Sequence, residues 1–315
     1  MPADLIAGIA LAPPVIAGLI IFKAPALEML AIALGIGAAA QVLAALAWRK
    51  HVPRISASPL IAAVFGVALM GTGATIVTIV EIAIIAVILE LLRARYVPAI
   101  RIQAGLLAYA FIALITRGAP FKYINPASGL PNGDPINVWY HLFSPAAASV
   151  DPIRLYVGNV PGPVFATSLL AVAIGAAWFA YARRLSLVVL ITFLAGALMS
   201  VYVLRWDYLF QLDSGPMWFV AALILADRRM LPGSWAIRPF MGLVAGALSV
   251  DLRRNGYGIE ATFVTVAAVQ AVMALLLFAY WGVSLAMERW QRTRRLRRRE
   301  AQLRIVKPLP RVSSQ

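Results

Sequence analysis

Ten apolar stretches run along the chain, at 4–22, 26–48, 58–71, 73–92, 100–117, 161–182, 185–205, 214–227, 239–252 and 258–287. They are continuous instead of alternating at every second residue, which predicts helices and not strands. A helix rises about 1.5 Å per residue and the hydrocarbon core of a bilayer is about 30 Å thick, so about 20 apolar residues span it. Seven of the ten stretches are long enough. Lipid leaves only helices and closed barrels as spanning structures. The pattern predicts an all-α polytopic membrane protein of about ten helices.

The charges between the stretches set its orientation. Arg49, Lys50 and Arg54 share one gap; Arg93, Arg95 and Arg101 fall in the next but one. Arg183 with Arg184, then Arg228, Arg229 and Arg238, follow at alternate gaps, and a basic tail closes the chain. These places hold 21 of the 28 basic residues, so the positive-inside rule makes them cytoplasmic, together with both termini. Ten spans keep the alternation; an odd number breaks it.

Three stretches are short, and two of them hold matching places. The third begins Ser58-Pro59 and is interrupted at Gly71-Thr72-Gly73; the eighth begins Ser214-Gly215-Pro216 and ends at Asp227-Arg228-Arg229. Each is the third of five, and an odd count turns the second half over relative to the first. Short, Gly/Pro-interrupted segments at matching positions of inverted halves point to a central site built from discontinuous helices. The plainer reading is two short helices in thinned bilayer. The expected organisation is a first membrane half at 1–117, an outer loop at 118–160, a second half at 161–288 and a basic cytoplasmic tail at 289–315.

The loop at 118–160 is too long to be a simple connection. It carries Phe121, Tyr123, Trp139, Tyr140, Phe143 and Tyr156, an aromatic content unlike that of disordered chain. Those rings suit a headgroup-level belt, a cover for the outer mouth, or a stack on a planar cofactor.

Composition narrows the chemistry. The chain is 62% hydrophobic and 13% charged, outside the range of soluble domains. It has no cysteine, which removes disulfides, thiolate metal sites and cysteine nucleophiles; two histidines in different loops do not make a haem site. No Walker motif, dinucleotide fingerprint, HExxH or nucleophile elbow is present. The net charge of +15 gathers in the tail around Arg294 to Arg299, which suits either a cytoplasmic anchor on anionic lipid headgroups or a docking segment for a partner, and no nucleic-acid partner is expected. Met1 to Asp4 lacks the basic n-region of a cleaved signal peptide.

Glu81 stands alone within the fourth stretch. A carboxylate there costs a few kcal/mol, so it is expected to face the interior, either protonated and hydrogen-bonded or as part of a cation pathway. Glu90, Asp227, Asp251 and Glu260 lie near segment ends, where they cap helices or pair with adjacent arginines.

Several stretches together resemble a known family. Residues 155–183, with Gly158-Asn159-Val160-Pro161-Gly162 at their start, resemble the sixth helix of RnfD, a membrane component of the Rnf electron-transport complex. RnfD shares its family with NqrB of the Na⁺-translocating NADH:quinone reductase. Ser214-Gly215-Pro216-Met217 running to Asp227, Gly242 to Ala247, Asn255 to Gly258, and Tyr96-Val97-Pro98-Ala99 are similar to further family segments. The resemblance implies ten helices in two inverted halves and a membrane subunit of an electron-transfer complex in a bacterial inner membrane. It implies neighbouring redox subunits, a flavin (FMN or riboflavin) and coupling to cation movement. Family members esterify FMN to a threonine; the corresponding run here is Ser144-Pro145-Ala146-Ala147, so the expected flavin is non-covalent. Its expected contacts are Trp139, Tyr140, Ser144, Tyr156, Ser214 and Gly215. No catalytic residue or metal site is assigned. The alternative is a small-solute channel or transporter of the same architecture.

Overall fold

Every one of the ten apolar stretches carries a helix, and the departures lie where each begins and ends. The computed structural model describes residues 3–47, 58–131, 152–206, 208–255 and 257–306. In order these helices are α1 (Ala3–Phe22), α2 (Ala24–Ala47), α3 (Ser58–Ala68), α4 (Ile76–Tyr96), α5 (Ala104–Ile115), α6 (Pro152–Val157) and α7 (Leu169–Tyr181). Then come α8 (Leu187–Leu204), α9 (Tyr208–Leu212), α10 (Gly215–Trp218), a π-helix (Phe219–Leu225), α11 (Ile237–Asp251) and α12 (Glu260–Val306). Among the described residues no strand forms, only three isolated bridges.

Among the described residues four helices are long and apolar enough to cross a membrane: Asp4–Phe22, Ala24–Ala47, Leu187–Leu204 and Glu260–Ser284. Large apolar side chains such as Ile20, Leu43, Leu114 and Val203 are exposed along the helices, as lipid-facing positions are. The chain divides into two compact units, Met1–Ala271 and Val272–Gln315. The second is helical as far as Val306, so α12 continues well past the apolar run that ends at 287.

The third and eighth stretches are broken, as their glycines and prolines predict. Helix α3 has 11 residues, about 16 Å of rise. The eighth stretch is a single α-turn that widens into seven residues of π-helix, all of them buried. The fifth and sixth stretches are also shorter than expected, at 12 residues in α5 and 13 in α7. For α7 the cause is local. Pro161 and Pro163 have no N–H to give to a helix, so the chain from Gly158 to Ser168 stays irregular although it is buried from Val160 onward.

Irregular backbone survives in an apolar setting only where its polar groups find partners. Here they do. Val164 N donates to Met70 O at 2.8 Å and Phe165 N to Ala68 O at 3.2 Å, taking up carbonyls that the end of α3 leaves open. Beyond the break, Gly71 N donates to Pro120 O at 2.9 Å and Gly73 N to Lys122 O at 2.8 Å. The end of the π-helix is stitched likewise: Ser186 N donates to Ala226 O and Arg228 N to Arg184 O, each at 2.8 Å.

Small residues let these segments touch. A Cβ on Gly18 of α1 would lie 2.3 Å from Val164 O, and one on Gly175 of α7 would lie 2.3 Å from Ala10 O. The rings of Phe65 on α3 and Phe219 on the π-helix meet edge to face, with centroids 5.9 Å apart. The two interrupted segments therefore meet in the core.

Candidate functional site

Of the expected flavin contacts, Tyr156, Ser214 and Gly215 fall among the described residues. Trp139, Tyr140, Ser144 and the Ala147 position lie outside them. Tyr156 sits on the short helix α6 and is exposed. Ser214 and Gly215 are buried, but in solid packing: a Cβ on Gly215 would stand 2.1 Å from Thr167 O. Ser214 Oγ finds no hydrogen-bond partner among the described residues. Gly215 thereby joins the segments 158–168 and 214–217. Glu81 departs from its expected inward-facing place. It is exposed on the outer face of α4, in line with exposed Val77, Ile84 and Ile88, and does not point into the core. Helical spacing could have shown this, because those residues share one face at intervals of three or four.

The structure brings a different set together. A cavity of about 560 Å³ lies where the basic gaps of the sequence converge. Its apolar floor includes Ile61, Ala62 and Phe65 from α3, Phe179 from α7, and Leu223 and Ile224 from the π-helix. Its rim carries Arg93, Arg101, Arg183, Arg184, Arg228 and Arg229 with Asp4, Glu90 and Asp227. Six cations face three carboxylates.

Each carboxylate is paired. Glu90, buried near the end of α4, accepts from Arg93 Nε at 2.8 Å and from Arg93 Nη2 at 2.5 Å, and the Ser58 hydroxyl also donates to it. Their i,i+3 spacing places them on one helix face. Asp227 takes a forked pair of bonds from Arg184, with Nε at 3.1 Å, and accepts Arg229 N at 3.1 Å. Arg184 also lies over the Phe179 ring, 4.7 Å from its centroid. Asp4 at the start of α1 meets Arg229 at 3.5 Å. The pairing expected for Glu90 holds. For Asp227 the chief partner is Arg184, far along the chain, brought near by the antiparallel bridge Leu185–Asp227.

Chemically the cavity offers charge and hydrogen-bond donors. Among the described residues no group of three or more histidine, aspartate or glutamate side chains could hold a metal ion. Phe65 and Phe179 are the rings of the lining. Compared with known protein families and with curated proteins, the sequence finds no match in either. The resemblance to the Rnf component therefore rests on the residues quoted for it alone.

Proposed function

We propose that this chain is the membrane subunit of an Rnf-like or NADH:quinone-reductase-like electron-transfer complex. In this reading it has ten spans in two inverted five-helix halves, with both termini cytoplasmic. One observation carries it. Two of the stretches on which the resemblance rests, 158–168 and 214–217, form one buried contact beside the broken end of α3. Gly158 takes a left-handed φ of 92° and packs against Ser168, while Gly215 packs against Thr167. The family-like glycines and prolines are thus the residues that let backbone meet backbone at the centre of the first compact unit.

The chain then acts as a scaffold for redox centres in neighbouring subunits, with a flavin held by stacking and hydrogen bonds. Purification in mild detergent tests this, with an absorbance spectrum and identification of co-purifying subunits. The expected result is flavin absorbance with redox subunits, and a band that is dark under ultraviolet light after denaturing electrophoresis. A colourless homo-oligomer contradicts the reading. A fluorescent band contradicts the non-covalent attachment.

A second reading, a small-solute transporter, draws support from the charged cavity. It reaches from the arginine rim to Phe65 on the interrupted helix α3. Substrate-dependent uptake into vesicles by the chain alone would favour it.

A further inference from the structure

We propose that the arginine-rimmed cavity is a binding site for an organic phosphate, with the phosphate group at the rim and the carbon skeleton on the apolar floor. The inference does not depend on electron transfer. Three of the six rim arginines are committed: Arg93 to Glu90, Arg184 to Asp227, and Arg229 to Asp4. The side chains of Arg101, Arg183 and Arg228 meet no carboxylate among the described residues; Arg101 gives one N–H to Leu231 O at 2.6 Å.

These three converge for structural reasons. The bond from Arg228 N to Arg184 O holds Arg228 beside Arg183, and the bond to Leu231 O ties Arg101 to the turn that follows Arg228. Arg183 is held at a φ of +56°, a left-handed conformation that is strained for a residue with a side chain. It turns the chain out of α7 at the rim. At the start of α3 the Ser58 hydroxyl donates to Glu90, the acid that pairs with Arg93. The surplus therefore lies on the side of Arg101, Arg183 and Arg228.

That surplus matches a phosphate ester better than a carboxylate or a halide. A phosphate carries about −1.5 to −2 charges at neutral pH and three acceptor oxygens. Guanidinium forks bind such oxygens in pairs. A cavity of about 560 Å³ is far larger than one inorganic anion and falls in the range of small-molecule sites. Its floor of Ile61, Phe65 and Leu223 would take an apolar or aromatic body. The phosphate ester can come from a soluble metabolite or from a lipid headgroup.

The test uses the full chain, purified and delipidated. Titration calorimetry with phenyl phosphate forms one arm, and native mass spectrometry with short-chain phosphatidic acid forms the other. At least one probe is expected to bind saturably, and R183Q/R228Q to weaken it at least tenfold, while R117Q after the end of α5 leaves it unchanged. Phenyl phosphate alone identifies a soluble ligand; phosphatidic acid alone identifies a lipid. Binding of neither probe overturns the proposal, as does equal binding by R183Q/R228Q or benzoate binding as tightly as phenyl phosphate. Thermal unfolding of R183Q/R228Q, expected to stay cooperative and close to that of the parent chain because both residues are exposed, separates lost binding from lost fold.

Discussion

Gly215 has no room for a single added carbon. A Cβ there would lie 2.1 Å from Thr167 O and 2.6 Å from Thr167 C, backbone atoms that cannot swing aside. Overpacking of this kind costs about 1–3 kcal/mol or more. Gly8 and Gly35 are helical with nothing within 4 Å of a built Cβ. Alanine there is expected to stabilise by about 0.5–1 kcal/mol through helix propensity. Thermal unfolding should therefore show Gly215→Val well below, and Gly8→Ala and Gly35→Ala at or above, the parent chain; equal losses at all three would contradict the packing. The Arg184–Asp227 pair gives a second prediction. Removing one partner of a buried ion pair costs about 3–5 kcal/mol because the other charge is left alone. Arg184→Leu and Asp227→Leu should each destabilise by about that much, and the double substitution by clearly less than their sum. A strictly additive double variant would mean that the two charges do not act together. Ser214-Gly215-Pro216 reads in the sequence as a helix break. That the break packs backbone against backbone depends on Thr167, whose nearness no local pattern records. Glu81 shows a simpler limit: depth within an apolar run does not say which helix face a residue occupies.

At the scale of elements, the segment from Gly158 to Ser168 is the least expected and the most constrained. Its apolar character suggests the start of a helix, while Pro161, Gly162 and Pro163 argue against one. What keeps the irregular chain buried is bonding to the open carbonyls of α3 by Val164 and Phe165, a long-range pairing that periodicity cannot show. Its amides should behave like core amides although they are not helical. Hydrogen exchange of the purified protein is expected to find Val164 and Phe165 as protected as the middle of α7, and Ser128 in the exposed turn after α5 unprotected. Fast exchange at Val164 would show that the stitch to α3 does not hold. The ends of four elements follow a similar logic. Lys23, Arg117, Arg183 and Arg205 all adopt positive φ, a place usually taken by glycine. A cation there also meets the negative end of the helix dipole. Of the four, the sequence marks only Arg183 as a cytoplasmic charge; their part in ending elements shows only in the backbone.

For the whole molecule, the helices and their order were legible because membrane burial writes itself as long apolar runs. The cavity was not. Its arginines lie in separate gaps of the sequence, at 93, 101, 183–184 and 228–229, where each reads as a positive-inside signal. Only folding brings them to one rim and pairs half of them with acids. In the proposed topology the same arginines do two things, orienting the chain and rimming the cavity, and that topology places the rim on the cytoplasmic side. Labelling single cysteines in intact cells tests this most directly, since the chain has no cysteine of its own. Ser128 lies exposed in the loop after α5, and Ser234 lies exposed between the π-helix and α11, near the arginine rim. A membrane-impermeant thiol reagent applied outside should modify Ser128→Cys and spare Ser234→Cys until the membrane is opened. Modification of Ser234→Cys from outside, with Ser128→Cys protected, would contradict the orientation and with it the inverted halves and the cytoplasmic cavity.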